Sequence, residues 1–416
     1  MIDAAGVTHE PGEVDALIVG GGPSGLAAAV ELRRLGASVV VLERDGEPGG
    51  IARHSNHLGY GLRDLHRVLR GPAYARAWTV LAERSGADIR VHATATDWKE
   101  SGNGLCVTAP AGREELRART ILLATGCRER PRPARLVPGS RPSGVYTTGS
   151  LQQLVHLQRA RVVKRAVIVG AEHVSYSAAL TIAHSDGVTV AMVTAQPRTA
   201  TFPAADRAVR LRYRFPLLTD SKVVDIRGRA RVEGVTIHHL QTGGDVDLAC
   251  DAVVFTGDWV PDHELARAGA VPISTGFRGP SVNEDGHTER VGVFAAGNVL
   301  HGACTADACA LEGRHVAAAM ARFLTDGNWP ASGLPVVADA PVAWVSPSRI
   351  SATARSGGLI AAVHGAPSGA IVVRQGAREL WVSRRRDWIE GRLVHIAGRC
   401  LRDLDPMSEP LHVAIS

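Results

Sequence analysis

The chain has 416 residues and a mass of 43.9 kDa, with 45% hydrophobic and 21% charged residues. That composition excludes a disordered, collagen-like or fibrous chain and leaves room for two to four domains around a sizeable core. No apolar run approaches the ~20 residues of a membrane helix.

The net charge of +6 rests on 44 arginines and only three lysines, Lys99, Lys164 and Lys222. Such a skew reflects coding bias more simply than a nucleic-acid surface. The one dense basic run, Arg384-Arg385-Arg386, has no interleaved aromatic platform and reads as a solvated face. Six cysteines, at 106, 127, 250, 304, 309 and 400, show neither a Cys-x-x-Cys pair nor zinc-ligand spacing. Reduced thiols are expected, with no metal site. The polar, acidic segment from Met1 to Glu13 carries no basic-then-apolar signal pattern, so a cytoplasmic protein is expected, without nucleic-acid or membrane partners.

In chain order, the first strong signal is an apolar strand from Asp15 running into Gly20-x-Gly22-x-x-Gly25 and a helix of small residues that opens with Pro23 and Ser24. A second strand, Ser38 to Leu42, ends on Glu43 and Arg44. Gly20 makes the tight turn, Gly22 admits a pyrophosphate to the backbone, and Gly25 lets helix and strand pack closely. The helix N-terminus favours the anion, and Glu43 accepts from a ribose hydroxyl. Strand, glycines, helix and acid together make a specific dinucleotide signature.

The plan recurs at Arg165-Ala-Val-Ile-Val-Gly-Ala-Glu-His-Val-Ser, followed by a strand from Val188 to Thr194. Each unit has a late apolar strand ending in Thr-Gly, first at Thr125-Gly126 and then at Thr256-Gly257. Two copies of one plan indicate an α/β fold with two Rossmann-like, doubly wound dinucleotide-binding domains. A third landmark, Gly292 to Asn298 including Gly297, precedes a long helix expected from Thr305 and Ala306 to Leu324. A Pro/Gly-rich connector follows, and short alternating runs from Val342 to Ser416 read as a small β domain.

Together these residues resemble the pyridine nucleotide–disulfide oxidoreductase superfamily, which includes thioredoxin reductase. The resemblance covers roughly residues 14–325 and implies FAD as cofactor. It places Gly20, Gly22, Pro23, Ser24, Gly25, Glu43 and Arg44 on the ADP half, and Thr125 and Gly126 on the returning strand. Gly297, Asn298, Thr305 and Ala306 approach the ribityl chain and flavin. Gly50 and Ile51, with Arg53-His54, Gly61-Leu62 and Gly71-Pro72-Ala73-Tyr74, look closer to the flavoprotein subunits of opine oxidase, hydrogen cyanide synthase and sarcosine oxidase, and to a partner of glycerol-3-phosphate dehydrogenases. The expected division is 1–143 and 251–326 for a discontinuous FAD domain, 144–250 for the second nucleotide-binding-like domain, 327–341 for a linker and 342–416 for the β domain.

Departures from the family pattern narrow the chemistry. Cys304 and Cys309, five apart on an expected helix, do not face each other for a disulfide, and Cys127 reads as a packing thiol. In the second motif Glu172 and Ser175 replace glycines, so charge and bulk oppose a pyrophosphate; the competing reading lets Arg198 still hold a phosphate. Asn298 stands where the family has Asp, and it still bonds a hydroxyl. Beyond residue 326 only Cys400 remains, which excludes a cysteine-rich iron–sulfur segment there.

The loop from Gly49 to Gly61 follows the second strand. His54 and His57 are its candidate general bases, with Arg53, Tyr60 and Arg63 as substrate contacts. His301 is a third catalytic candidate, and Asp307 is a helix cap. A plain hydrogen-bonded loop role is the alternative for each.

The leading expectation is an FAD-dependent dehydrogenase or oxidase acting on a small amine, amino acid or hydroxy acid, with electrons leaving to oxygen, a quinone or a partner protein. The alternatives are an electron-transfer subunit of a heteromeric dehydrogenase, an NAD(P)H-dependent reductase and a flavin-binding scaffold. A partner oxidoreductase subunit or a homo-oligomer is the expected assembly.

Overall fold

The computed structural model describes residues 13–99, 103–330, 333–351, 357–405 and 408–416. The first sheet forms around Glu13–Val19, which pairs in parallel with Val39–Leu42 on one side and with the end of Gly112–Leu123 on the other. All four residues of Val39–Leu42 are buried, as expected of an apolar run covered on both faces of a parallel sheet. Asp88–Arg90 extends one edge, and Val293–Ala295 returns from late in the chain to pair with Ile121–Leu123. Gly112–Leu123 is 12 residues long because its first half also forms a hairpin with Gly104–Ala109.

Helix Pro23–Arg34 starts on Pro at its first turn and ends on Arg33 and Arg34, matching the helix dipole at its C-terminus. It packs against Ala306–Asp326 with glycine at the crossing. A Cβ on Gly313 would lie 2.1 Å from the Ser24 carbonyl oxygen.

The second unit repeats this plan. Val145–Thr147, Ala252–Phe255, Arg165–Val169, Val188–Val193 and Leu217–Leu218 form a five-stranded parallel sheet. An antiparallel meander, Ser221–Gly228, Val232–His239 and Asp245–Ala249, covers it through Ile226, Val235 and Phe255.

The C-terminal region is all β, with its own core of Val345, Ile371, Val373, Trp388 and Leu411. Its five-stranded sheet includes Leu334–Ala338, inside the segment read above as a connector, paired in parallel with Leu411–Ile415. Among the described residues no helix is long and apolar enough to cross a membrane.

Candidate functional site

A cavity of about 640 Å³ opens at the carboxyl ends of the parallel strands of both units, where open α/β sheets place their ligands. Gly20, Gly22, Pro23, Ser24, Glu43, Arg44, Gly50, Ile51, Thr125, Gly126, Asn298, Thr305 and Ala306 all line it. Gly25 and Gly297 instead act behind the wall.

Three observations test whether this cradle suits a dinucleotide. A Cβ on Gly22 would meet nothing nearer than the Gly50 Cα at 4.0 Å, so that backbone is open to a ligand, whereas one on Gly25 would sit 2.0 Å from the Gly20 carbonyl oxygen. No side chain caps the Pro23–Arg34 helix. The Ser24 hydroxyl at its start is buried without a hydrogen-bond partner. An anionic group with oxygens to share fits this helix N-terminus.

Glu43 is buried and accepts from the Gly21 and Asp45 backbone amides at 3.1 and 2.9 Å. Burial raises its pKa.

The Gly49–Gly61 loop reaches the cavity through His54, Ser55, His57 and Tyr60. His57 Nδ1 lies 2.8 Å from the Leu58 carbonyl oxygen, which can only accept, so the Nδ1 carries the proton. Its Nε2, 3.1 Å from the Ser55 hydroxyl, is therefore the acceptor. Gln152 ties the loop to the second unit. Its Nε2 donates to Ser177 Oγ at 2.7 Å, and its Oε1 lies 3.4 Å from His54 Nδ1. Burial pushes the His54 imidazole down to about 4 and also lowers His57. Burial raises the Tyr60 phenol.

Other expected residues have partners of their own or lie off the wall. Arg53 does not line the cavity; it pairs with Asp45 and Glu47 at 3.3 and 3.6 Å. Arg63 is exposed, outside the cavity wall. His301 sits behind the wall, stacked on Trp344 with ring centroids 6.0 Å apart, and its Nδ1 is 3.5 Å from Cys304 Sγ. Burial opposes its charge, yet Cys304 and Glu312 raise its pKa to about 10. Asn298 closes its own loop, with both amide atoms bonded to the Cys304 backbone at 3.1 and 3.0 Å. The helix cap is Thr305, and Asp307 accepts from the Thr305 hydroxyl and the Ala308 amide.

Cys304 precedes the helix instead of lying on it, and it lines the cavity together with buried Cys127 and Cys309. All six cysteines are free thiols. Ser55, Gln152 and Cys304 were not singled out as site residues by their sequence. The only hint for Ser55 was its place two residues from His57.

The second glycine turn is filled from within. Glu172 accepts from the Ser175 and Thr256 hydroxyls at 2.9 and 3.1 Å; it is half-buried, and desolvation raises its pKa. From the C-terminal region Gly391 packs on the same side chain, a Cβ there lying 3.1 Å from Glu172 Cγ. Arg198 donates to the Asp387 and Trp388 carbonyls at 3.0 and 3.3 Å, and Gln196 to Glu390 at 3.0 Å. Arg392 returns the contact, donating to the Ala200 and Thr201 carbonyls.

The family model for pyridine nucleotide-disulphide oxidoreductases matches residues 14–321. The chain belongs to that family. It is an FAD-dependent oxidoreductase with a thioredoxin reductase-like fold.

Among its relatives is an opine oxidase subunit of Agrobacterium tumefaciens, 25% identical over 340 residues, covering 73% of this chain and 65% of that one. The HcnB subunit of hydrogen cyanide synthase from Pseudomonas aeruginosa is 29% identical over 278 residues, covering 63% and 56%. The chain thus spans less than two thirds of either relative. The solved thioredoxin reductase of T. acidophilum superposes with a TM-score of 0.63 at 20% identity, covering 75% of this chain and 98% of that one.

Proposed function

We propose that the enzyme takes a hydride from a small amine, amino acid or hydroxy acid, and that its reductant is not a pyridine nucleotide. The observation that carries this reading is the second glycine turn. A carboxylate, two hydroxyls and the Asp387–Arg392 segment stand where a dinucleotide would need backbone and a free Arg198. Bound FAD supplies the two-electron acceptor chemistry. Gly20, Gly22, Ser24 and Glu43 hold its ADP half, and Gly50, Ile51, Thr125 and the Thr305–Ala306 turn hold the remainder.

The protein's own part is proton handling and orientation. Ser55 takes the substrate N–H or O–H proton as its own passes to His57 Nε2, the tautomer being fixed by the Leu58 carbonyl. His54, held neutral at pH 7 by burial that lowers its pKa to about 4, orients Gln152. Both arginines that line the cavity, Arg44 and Arg128, already face Asp262, at 3.7 Å and in close contact respectively.

The test is anaerobic mixing of the purified flavin-loaded protein with NADH, NADPH and a panel of amines, amino acids and hydroxy acids while the visible flavin band is followed. Bleaching by a member of the panel and not by either nucleotide is expected; rapid bleaching by NADPH overturns the reading. His57→Ala and Ser55→Ala should then slow the reductive step with the active substrate.

A second reading is an electron-transfer subunit docked on a partner dehydrogenase, favoured by relatives that are themselves named as subunits. Co-purification of a second flavoprotein, with a lone chain inert toward every substrate, would select it.

A further inference from the structure

The C-terminal region encloses a second cavity, of about 660 Å³, away from the flavin cradle. We infer that this cavity is a binding site for a flat aromatic anion, with Trp381 and Trp388 as its ring platform and Arg384, Arg386 and Arg399 as its anion clamp.

The charge balance is the first argument. Three other arginines of this region have acidic partners: Arg374 pairs with Asp339 at 2.9 Å, Arg349 with Glu289 at 3.3 Å and Arg378 with Asp403 at 4.0 Å. Among the described residues no ion pair involves Arg384, Arg386 or Arg399, and all three line the same cavity. Asp387, the one carboxylate on its wall, accepts from the Ser368 hydroxyl. Three exposed guanidinium groups thus share one cavity wall with a single carboxylate, an arrangement that an anion would complement.

The second argument is the aromatic wall. Trp388 is fixed by its Nε1 donating to the Gly369 carbonyl at 3.1 Å, and the Arg386 guanidinium lies 4.7 Å from its ring centroid. A guanidinium stacked on a ring keeps its N–H edges available for a planar carboxylate or phosphate. Trp381 Nε1 is buried with no hydrogen-bond partner. Leu393 and Val394 complete an apolar floor. The run Arg384-Arg385-Arg386 is solvent-exposed at all three positions, as its sequence predicts. Arg385 turns to the Ser416 carbonyl while its two neighbours line the cavity.

The place of the site matters for its readout. The same segment supplies Asp387 and Trp388 to Arg198 and Gly391 to the flavin cavity. A ligand that orders Arg386 and Trp388 thus acts on the strap across the second glycine turn.

Calorimetry on the full-length, flavin-loaded protein provides the test, with indole-3-acetate and AMP as anions and indole and adenosine as their neutral counterparts. Indole-3-acetate isolates a carboxylate ligand and AMP a phosphate ligand, and flavin loading removes the ADP cradle as a competing site. At least one anion should bind with a dissociation constant of about 0.1 mM or tighter, and its neutral counterpart at least about tenfold more weakly. Arg384→Ala combined with Arg399→Ala should weaken that binding by about tenfold or more, with unchanged flavin content and melting temperature. Arg399→Gln alone, a milder change, should give an intermediate loss. Absence of saturable binding by both anions overturns the inference, as does equal binding of the neutral counterparts or affinity unchanged in the double variant. None of these readouts depends on which substrate reduces the flavin.

Discussion

Cys304 illustrates how much of this site is decided one residue at a time. Cys106, Cys127, Cys250, Cys309 and Cys400 are all buried, whereas Cys304 is half-buried and lines the cavity at the strand ends beside His301. Iodoacetamide should therefore modify Cys304 at least about tenfold faster than the other five, since access governs thiol reactivity as strongly as ionisation does. Peptide mass spectrometry would check this, and flavin removal should speed the reaction further; equal labelling of buried cysteines would refute it. The glycines of the first motif were legible in the sequence because their constraint is local. Gly20 needs a φ of +112° and Gly25 has no room for a Cβ. The roles of Asn298 and Arg53 were not legible. An amide that matches a ribityl hydroxyl equally matches the Cys304 backbone, and a guanidinium near a flavin loop equally matches Asp45. Which partner wins depends on how the loop closes, which no motif spacing encodes.

At the level of elements, the two glycines Gly22 and Gly313 separate ligand binding from packing. Both lie where Pro23–Arg34 meets its neighbours, but a Cβ on Gly313 collides with Ser24 backbone at 2.1 Å while one on Gly22 points into open cavity. Gly313→Ala should cost about 1–3 kcal/mol as the two helices are forced apart. Gly22→Ala, at an extended φ of −80° that any residue adopts, should cost under about 1 kcal/mol, yet it should sharply reduce flavin content. Thermal melts of apo and flavin-loaded protein distinguish the two. Similar melting of both apo variants would remove the distinction. Helix Ala306–Asp326 was legible from its run of small residues, and the Rossmann strands from theirs. Strand Leu334–Ala338 was not, because Pro335 and the preceding glycine read as a connector and its partner, Leu411–Ile415, is distant in sequence.

Over the whole molecule, the histidines buried where units meet set how folding responds to acid. His54 joins the first unit to Gln152, and His287 lies between Phe294 and Trp329 while its carbonyl accepts from Arg349 of the C-terminal region. Burial lowers both from 6.5 to about 4; Arg53 and His156 push His54 the same way and Asp45 opposes them, while Arg322 and Arg349 lower His287 further and Asp285 opposes them. A histidine depressed in this way binds its proton in the unfolded chain before it does so in the folded one. Its contribution is therefore complete above pH 6.5 and is lost as the pH falls toward 4. The loss approaches about 3 kcal/mol for each at the bottom of that window. Glu43, Glu129 and Glu172, raised by burial, act with the opposite sign and are favoured by acid. A wild-type melt alone reports only the sum, so the histidine share requires a variant. His54→Gln keeps a hydrogen-bonding group beside Gln152 and removes the titration. Its melting temperature should fall less than that of wild type between pH 7 and pH 4.5, and an identical fall in the two proteins would show that His54 is not buried neutral in the folded state.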